Sequence, residues 1–485
     1  MEDTIIPPPR ELKGKRLYGY SMGDLGMMLS NMFGGVYIFQ YYVYTINLDA
    51  SLVSIGVSVQ MLVSAIFGII FGVIIDNKKP GKLGKRRPFL LIGLPVWFIT
   101  SILTWFPPVA PEGNTLYFPT AIYFWVTILI RSISRSLLFN VYLSMLPEQS
   151  QTSKNRESVA AVRSAFSIIA SVLALMFPLI IQSLLEDPKN AEWWKPSGKI
   201  VLFFIPIIGI GLAIFGLISV LLVFFAVDES FYKTNNNYIS EKVSLKARIV
   251  QMGKPIRNNN FRYLILSGFF GGIAGKIVGQ LVFPFQINVL NITSFGFYSY
   301  ILISFFGKFA WYAFWMKMRK RNHIMKSYST ALVLSIIASF LGTLFFINFI
   351  PIEFQMVLYI ITWSTMLGSM YSFPLFSIPL TAAMIHDAAE KSDEPDIDIA
   401  ISRISGSYYG LAQFVRSLGP ATASLFIGFV LAGQNKNNPY LIIMLFCSIG
   451  IFYLVYLILI KRIKVKHISF FDQPTIEEEK EKTIA

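Results

Sequence analysis

A chain of 485 residues with 54% hydrophobic and only 14% charged side chains is too apolar to fold as one ordinary water-soluble domain. Its net charge of +15 comes from short basic runs between hydrophobic segments rather than from one basic domain, so no nucleic-acid partner is expected. The single Cys447 excludes a disulfide within the chain, and with three histidines neither a metal centre nor a cofactor is expected.

In chain order, residues 1–16 are polar, contain Pro7, Pro8 and Pro9, and lack the short apolar core of a removable signal peptide. Apolar stretches of membrane-spanning length then fall near 17–45, 51–76, 88–107, 118–146, 160–185 and 198–227. After a polar segment, six more fall near 260–290, 294–316, 326–350, 353–384, 405–433 and 439–460. The expectation is an all-α integral membrane protein of twelve spans: a bundle over 17–227, a linker over 228–259 with an amphipathic surface helix, a bundle over 260–460, and a tail over 461–485.

Orientation follows from where Lys and Arg gather. The loop from Asp76 to Pro88 holds Lys78, Lys79, Lys82, Lys85, Arg86 and Arg87, and that from Lys317 to Lys326 holds Lys317, Arg319, Lys320, Arg321 and Lys326. The loop from Pro107 to Phe118 has none, so both termini and the linker are placed in the cytoplasm. The acidic segment from His386 to Ser402, with Asp387, Glu390, Asp393, Glu394, Asp396 and Asp398, weighs little in topology; it reads as a solvated loop or a gate facing basic loops. The sequon Asn291-Ile-Thr293 lies too close to the spans to carry weight.

The functional signal is charge inside the spans. Arg131, Arg135, Lys276, Lys308 and Arg416 sit well away from span ends, each at a cost of roughly 2.5 to 3.5 kcal/mol unless it meets water, a partner or a ligand. The carboxylates at comparable depth reduce almost to Asp24, with Tyr20 one turn before it. Asp24 either accepts hydrogen bonds from a solute or pairs with a base such as Arg131 or Arg416. Arg131 and Arg135, four residues apart, share one face about 6 Å along the axis, and their forks suit carboxylate, phosphate or sulfonate.

Lys276 and Gln280 share a face beside Gly271, Gly272 and Gly275; Tyr409, Gln413, Arg416 and Pro420 form one stripe. Lys308, beside Trp311, Tyr312 and Trp315, is the weakest candidate because it can snorkel toward the cytoplasmic face. Arg163, with Ser167 and Ser171, is placed near the inner surface as an anchor. Gln60 and Ser64 form a further polar stripe, which is either functional or helix-packing glue. Asp76 at a helix end, followed by Lys85, Arg86 and Arg87, can form an ion-pair latch between bundles; for Lys85 and Arg86 the other reading is anchoring at lipid headgroups. Asp387 is placed with this gate.

The run Gly72-Val-Ile-Ile-Asp76 to Gly84-Lys-Arg-Arg-Pro88 resembles the loop between the second and third helices of the major facilitator superfamily. The Gly-Lys-Arg-Arg-Pro-Phe-Leu-Leu-Ile-Gly run is similar to the glycoside-pentoside-hexuronide:cation symporter family (melibiose permease-like). Tyr18 to Asp24, Asn140 to Arg163, Met384 to Asp387 and Gly410 to Gly433 resemble the same family in sequence order. The resemblance implies two six-helix bundles around a central site, Asp24 as sugar-binding carboxylate, and Arg416 at a place where the family has a lysine. The family's coupling-cation carboxylates align with Ser64 and Gly68, which supply no charge, and a family carboxylate before Asn140 is replaced by Phe139. Sodium coupling is therefore not expected, and protons remain as the coupling ion.

The expected function is a plasma-membrane transporter, secondary active or facilitative and monomeric, for a sugar-like solute that is acidic: a sugar acid or other organic anion. Tyr20, Asp24, Arg131, Arg135, Lys276, Gln280, Gln413 and Arg416 are expected to bind it from one cavity. A lysophospholipid carrier of the same superfamily, or a non-transporting membrane sensor or scaffold, are the other readings; no enzyme motif is found. Reporter fusions after Pro107 and after Asn237 should report opposite sides of the membrane, and the same side for both would contradict this topology.

Overall fold

The computed structural model describes residues 10–230, 244–292, 296–297, 307, 309–311, 313–318, 324–347, 349–391 and 397–464. Its helices are α1 (Gly14–Gln40), α2 (Ala50–Asn77), α3 (Arg87–Leu103), α4 (Phe118–Gln149), α5 (Ser153–Ser183), α6 (Pro196–Ala226), the short α7 (Leu245–Gly253), α8 (Asn259–Pro284), α9 (Ile324–Leu341), α10 (Ile352–Ala389), α11 (Ile397–Val430) and α12 (Pro439–Lys461). The span expected near 294–316, with Lys308, lies largely outside the described residues, as do Asn235 to Asn237, Asp393, Glu394, Asp396 and the tail beyond Lys464.

Helix starts follow local chemistry. Asp49 accepts from Ser51 N at 2.9 Å to open α2, Thr152 from Asn155 N at 3.3 Å to open α5, and Asn258 from Asn260 N at 3.0 Å to open α8. Proline stands in the first turn of α3, α4, α6 and α12, where its missing N–H costs nothing.

Among the described residues, seven helices are long and apolar enough to cross a membrane: α2, α4, α5, α6, α8, α9 and α12. The apolar α3 is shorter. Helices α1 and α11 fall outside that set, and they carry Asp24 and Arg416. Large apolar side chains face outward, among them Ile92, Phe203, Ile207 and Phe225. Such a surface requires a hydrocarbon solvent rather than water.

The helices group into two compact units. The first comprises Met1–Leu245, Ile292–Tyr298 and Gly428–Lys436; the second comprises Lys246–Asn291, Ser299–Ile427 and Asn437–Ala485. In the first unit, Gly433 N donates to Asp49 Oδ2 at 2.8 Å, Lys436 Nζ donates to Asn47 Oδ1 at 2.6 Å, and Tyr44 Oη donates to the Lys436 carbonyl at 2.6 Å.

In the first unit α1 packs on α5 and α6, α2 on α4, and α3 on both α4 and α6. Between membrane helices there is little hydrophobic drive, so close approach depends on small residues. A Cβ at Gly23 would lie 2.7 Å from Val223 Cγ2, and one at Gly26 would run into Ser219 and sit 3.2 Å from the Gly216 Cα. In the second unit α12 packs on α8 and α9, and α9 on α10. There Ser339 Oγ donates to the Phe446 carbonyl at 2.9 Å and accepts from Gly450 N at 2.8 Å.

A repeated device relates the two units. Helix α1 ends in a π-helical turn, Tyr41–Thr45, and α8 ends in one over Phe285–Val289. Each is followed by an asparagine with positive φ, Asn47 at 61° and Asn291 at 51°, at the same spacing. Asparagine tolerates this left-handed conformation better than most residues.

The tightness of the α1–α6 seam makes Gly26 a stability determinant. Gly26→Val should destabilise the protein by about 1–3 kcal/mol through overpacking, read as a lower thermal midpoint in detergent. An unchanged midpoint would contradict this packing.

Candidate functional site

Asp24, on α1, is 4% exposed. Its carboxylate forms an ion pair with Arg163 Nε of α5 and a longer contact, 3.4 Å, with Arg163 Nη2. Tyr142 Oη of α4 donates to Asp24 Oδ2 at 3.2 Å. The Tyr20 and Tyr142 rings stack at 4.7 Å between centroids, Tyr20 Oη donates to the Tyr142 carbonyl at 2.6 Å, and the Arg163 guanidinium lies 5.0 Å from the Tyr142 ring centre. Arg163 is therefore not the inner-surface anchor read from the sequence. A guanidinium one-fifth exposed next to a buried carboxylate loses far more by leaving it than by reaching the headgroups. Tyr142 and Arg163 are the residues that sequence reasoning missed as partners of Asp24.

Arg131 has a different environment. It is 6% exposed, and Nη2 donates to the Ser30 carbonyl at 2.9 Å and to Ser30 Oγ at 3.2 Å across the α1–α4 interface. Gly34 leaves room for it, since a Cβ there would lie 3.0 Å from Arg131 Nη1. Arg135 is half-buried, with its guanidinium 5.7 Å from the Phe139 ring centre. The Nε of each arginine is buried without a hydrogen-bond partner. Among the described residues neither arginine has a carboxylate within ion-pair distance.

Around Gln60, Ser64 and Gly68, α2 meets a polar face of α4. Ser132 Oγ donates to the Gln60 carbonyl and Ser136 Oγ to the Ser64 carbonyl, each at 3.2 Å, and Asn140 Nδ2 donates to the Ser136 carbonyl at 2.7 Å. A Cβ on Gly68 would lie 3.7 Å from Ser136 Oγ. The two serine contacts are hydroxyl-to-backbone bridges between helices, the Asn140 contact lies within α4, and the position carries no charge.

In the second unit, Lys276 is half-buried on α8, and Gln280 one turn on is 3% exposed with both amide atoms lacking a partner. Arg416 of α11 lies against Gly268, where a Cβ would be 3.4 Å from its Nε, and Pro420 packs against Gly272. Gln413 and Tyr409 are exposed, so the stripe divides between packing and open positions. In the register set by the two π turns, Gly268 is the counterpart of Asp24. Neither Lys276 nor Arg416 has a carboxylate in ion-pair range among the described residues.

The basic loop before α3 is organised inside the first unit. Arg86 pairs with Glu148 at 2.7 Å and donates to the Ser144 carbonyl, so it is neither exposed to headgroups nor latched to Asp76. Glu229, missed from the sequence, accepts from Arg86 N at 3.0 Å and Arg87 N at 3.2 Å, capping the α3 N-terminus. The left-handed Gly84, φ 90°, gives that carboxylate its space. Burial pushes the Glu229 carboxyl above its ordinary pKa, against the two backbone donors. Arg87 lies over the Phe224 ring at 4.1 Å, and Lys85 is buried. Asp76 is exposed, and Asp387 stands half-buried near the end of α10.

Removing one member of the buried Asp24–Arg163 pair leaves the other uncompensated. Asp24→Asn should cost about 3–5 kcal/mol, seen as a lower thermal midpoint, and the Asp24→Asn/Arg163→Gln double variant should recover most of it. Additive losses would contradict the pairing.

A profile of the family described as MFS/sugar transport protein matches residues 19–467. An uncharacterized symporter, YjmB of Bacillus subtilis, is 29% identical over 182 residues, covering 37% of this chain and 38% of that protein. A second, YnaJ of the same organism, is 22% identical over 174 residues, covering 36% of each. These alignments thus span well under half the length of the curated relatives. Among solved structures, a D-xylose-proton symporter superposes with a TM-score of 0.62 at 13% identity, covering 90% of this chain and 96% of that one. The nucleoside transporter NupG superposes at 0.61 and 12% identity, covering 93% and 99%. At such identities the superpositions establish the fold, which is the all-helical major facilitator fold.

Proposed function

Because this chain belongs to the MFS/sugar transport protein family, we propose that it carries a sugar-like solute bearing negative charge across the plasma membrane by alternating access. The observation that carries this reading is a charge imbalance. Asp24, the deep carboxylate of the first unit, is already neutralised by Arg163, so it has no charge left for Arg131 and Arg135. In the second unit the counterpart of Asp24 is a glycine, and Arg416 lies against it. Cations held at such depth are stable only against an anion or water, and a guanidinium fork matches a carboxylate in two parallel hydrogen bonds.

Within this reading, Asp24, Arg163, Tyr142 and Tyr20 engage solute hydroxyls, the carboxylate accepting and the guanidinium donating. Arg131 and Arg135 hold the acidic group, and Lys276, Gln280, Gln413 and Arg416 are assigned as solute-binding residues of the second unit. The YjmB and YnaJ relatives are named as symporters, and the Gly84 to Gly93 run favours the glycoside-pentoside-hexuronide group within the family. Protons are assigned as the coupling ion, since Ser64 and Gly68 offer a hard cation no carboxylate. The protein acts as a monomer with both termini in the cytoplasm.

Arg131→Ala removes a charge-assisted contact worth roughly 1.5–3 kcal/mol, so the affinity for a sugar acid should fall by about one to two orders of magnitude while the protein still inserts. Arg131→Lys should rescue poorly, because a point charge lacks the fork. Binding in reconstituted vesicles reads this. Normal sugar-acid binding by the Ala variant would replace the anionic reading with a neutral-glycoside one, and saturable sodium stimulation would overturn the proton assignment.

A further inference from the structure

Helices α9 and α12 of the second unit border a groove of about 460 Å³ lined by Met325, Lys326, Ser329, Thr330, Val333, Leu334 and Lys461. The lining is zoned along α9. Lys326, Ser329 and Thr330 occupy its first two turns, and Val333 and Leu334 continue the same face one turn deeper. Lys461 closes the polar end from the last turn of α12. That end is fixed in place: Asn260 Nδ2 of α8 donates to the Lys464 carbonyl at 2.5 Å, and Lys464 N donates to Asn260 Oδ1 at 3.2 Å. Lys326 and Lys461 are exposed, and Val333 is 40% exposed.

The geometry points to a binding site for an anionic phospholipid of the cytoplasmic leaflet. Its phosphate sits between Lys326 and Lys461 with the Ser329 hydroxyl beside it, while the Thr330 hydroxyl donates to the Lys326 carbonyl at 2.9 Å, and one acyl chain runs along Val333 and Leu334. Three observations favour a lipid over a soluble phosphate. The groove continues from a basic mouth onto an exposed apolar helix face, which a soluble ion cannot use. The sequence from Ile324 to Leu334 and from Leu457 to Lys466 contains no acidic residue, so neither helix segment that lines the mouth supplies a carboxylate. The basic residues Lys317, Arg319, Lys320 and Arg321 directly precede α9, and Arg462, Lys464 and Lys466 follow Lys461, so the sequence places this mouth on the positive side that faces anionic lipid. A lysine at a helix C-terminus can also simply complement the helix dipole, but that role requires neither Lys326 nor the Ser329 hydroxyl.

Native mass spectrometry of the full-length protein, titrated with phosphatidylglycerol or with phosphatidylcholine of the same acyl chains, tests this. Phosphatidylglycerol should be retained more tightly, and the advantage should shrink about fivefold for Lys326→Gln or Lys461→Gln and roughly thirtyfold for both. Phosphatidylcholine retention and the thermal midpoint should stay as in the wild type, and if the double variant cannot be purified each single variant is read against its own fivefold. Soluble glycerol 3-phosphate should not displace the bound lipid. Equal retention of the two lipids, an undiminished preference in the lysine variants, or displacement by glycerol 3-phosphate would each overturn the assignment.

Discussion

The buried ion pair between Asp24 and Arg163 is the constraint on which the first unit's chemistry depends. A lone carboxylate at that depth would either take up a proton or neutralise whichever arginine lay nearest. Because α5 supplies Arg163 and α4 supplies the Tyr142 hydroxyl, the carboxylate is committed within its own corner of α1, α4 and α5. Arg131, farther along α4, is then left with the Ser30 carbonyl and hydroxyl. Neutral acceptors orient a guanidinium without cancelling its charge. Arg131 keeps its charge because Asp24 is already ion-paired with Arg163.

That electrostatic arrangement requires close helix packing, which small residues supply. Gly23 and Gly26 let α1 approach α6, and Gly34 opens the space that the Arg131 guanidinium fills. Gly68 on α2 leaves the α4 face of Ser132, Ser136 and Asn140 without a charged partner. The same logic appears in the second unit, where Gly268 and Gly272 admit Arg416 and Pro420. Glycine thus sets both how near the helices come and where a basic side chain can lie between them.

Much of the helix layout was legible in the sequence because the membrane imposes length. The helices α1 to α6 and α8 to α12 fall close to the hydropathy stretches, and the charges within them are what proposes Asp24, Arg131, Arg135, Lys276 and Arg416 as site residues. What was not legible was pairing. Arg163 lies near a span end and reads as an anchor, yet helix α5 brings it to Asp24 across more than a hundred residues of sequence. Glu229 and Glu148 look like ordinary loop and helix-end acids, and only the folded turn at Gly84 makes one of them the cap of α3 and the other the partner of Arg86. Nor do Tyr41 to Thr45 and Phe285 to Val289 resemble each other in sequence, although both form a π turn before a left-handed asparagine.

The central claim is that the buried positive charge is there for the solute. Isothermal titration of the purified wild-type protein with a hexuronic acid and with its parent neutral hexose, which differ at one carbon, tests it most directly. A charge-assisted contact worth roughly 1.5–3 kcal/mol predicts that the uronate binds at least about tenfold more tightly, with an advantage that diminishes little with added salt because Arg131 is buried and Arg135 half-buried. Equal binding of the two, or tighter binding of the neutral sugar, would contradict the account.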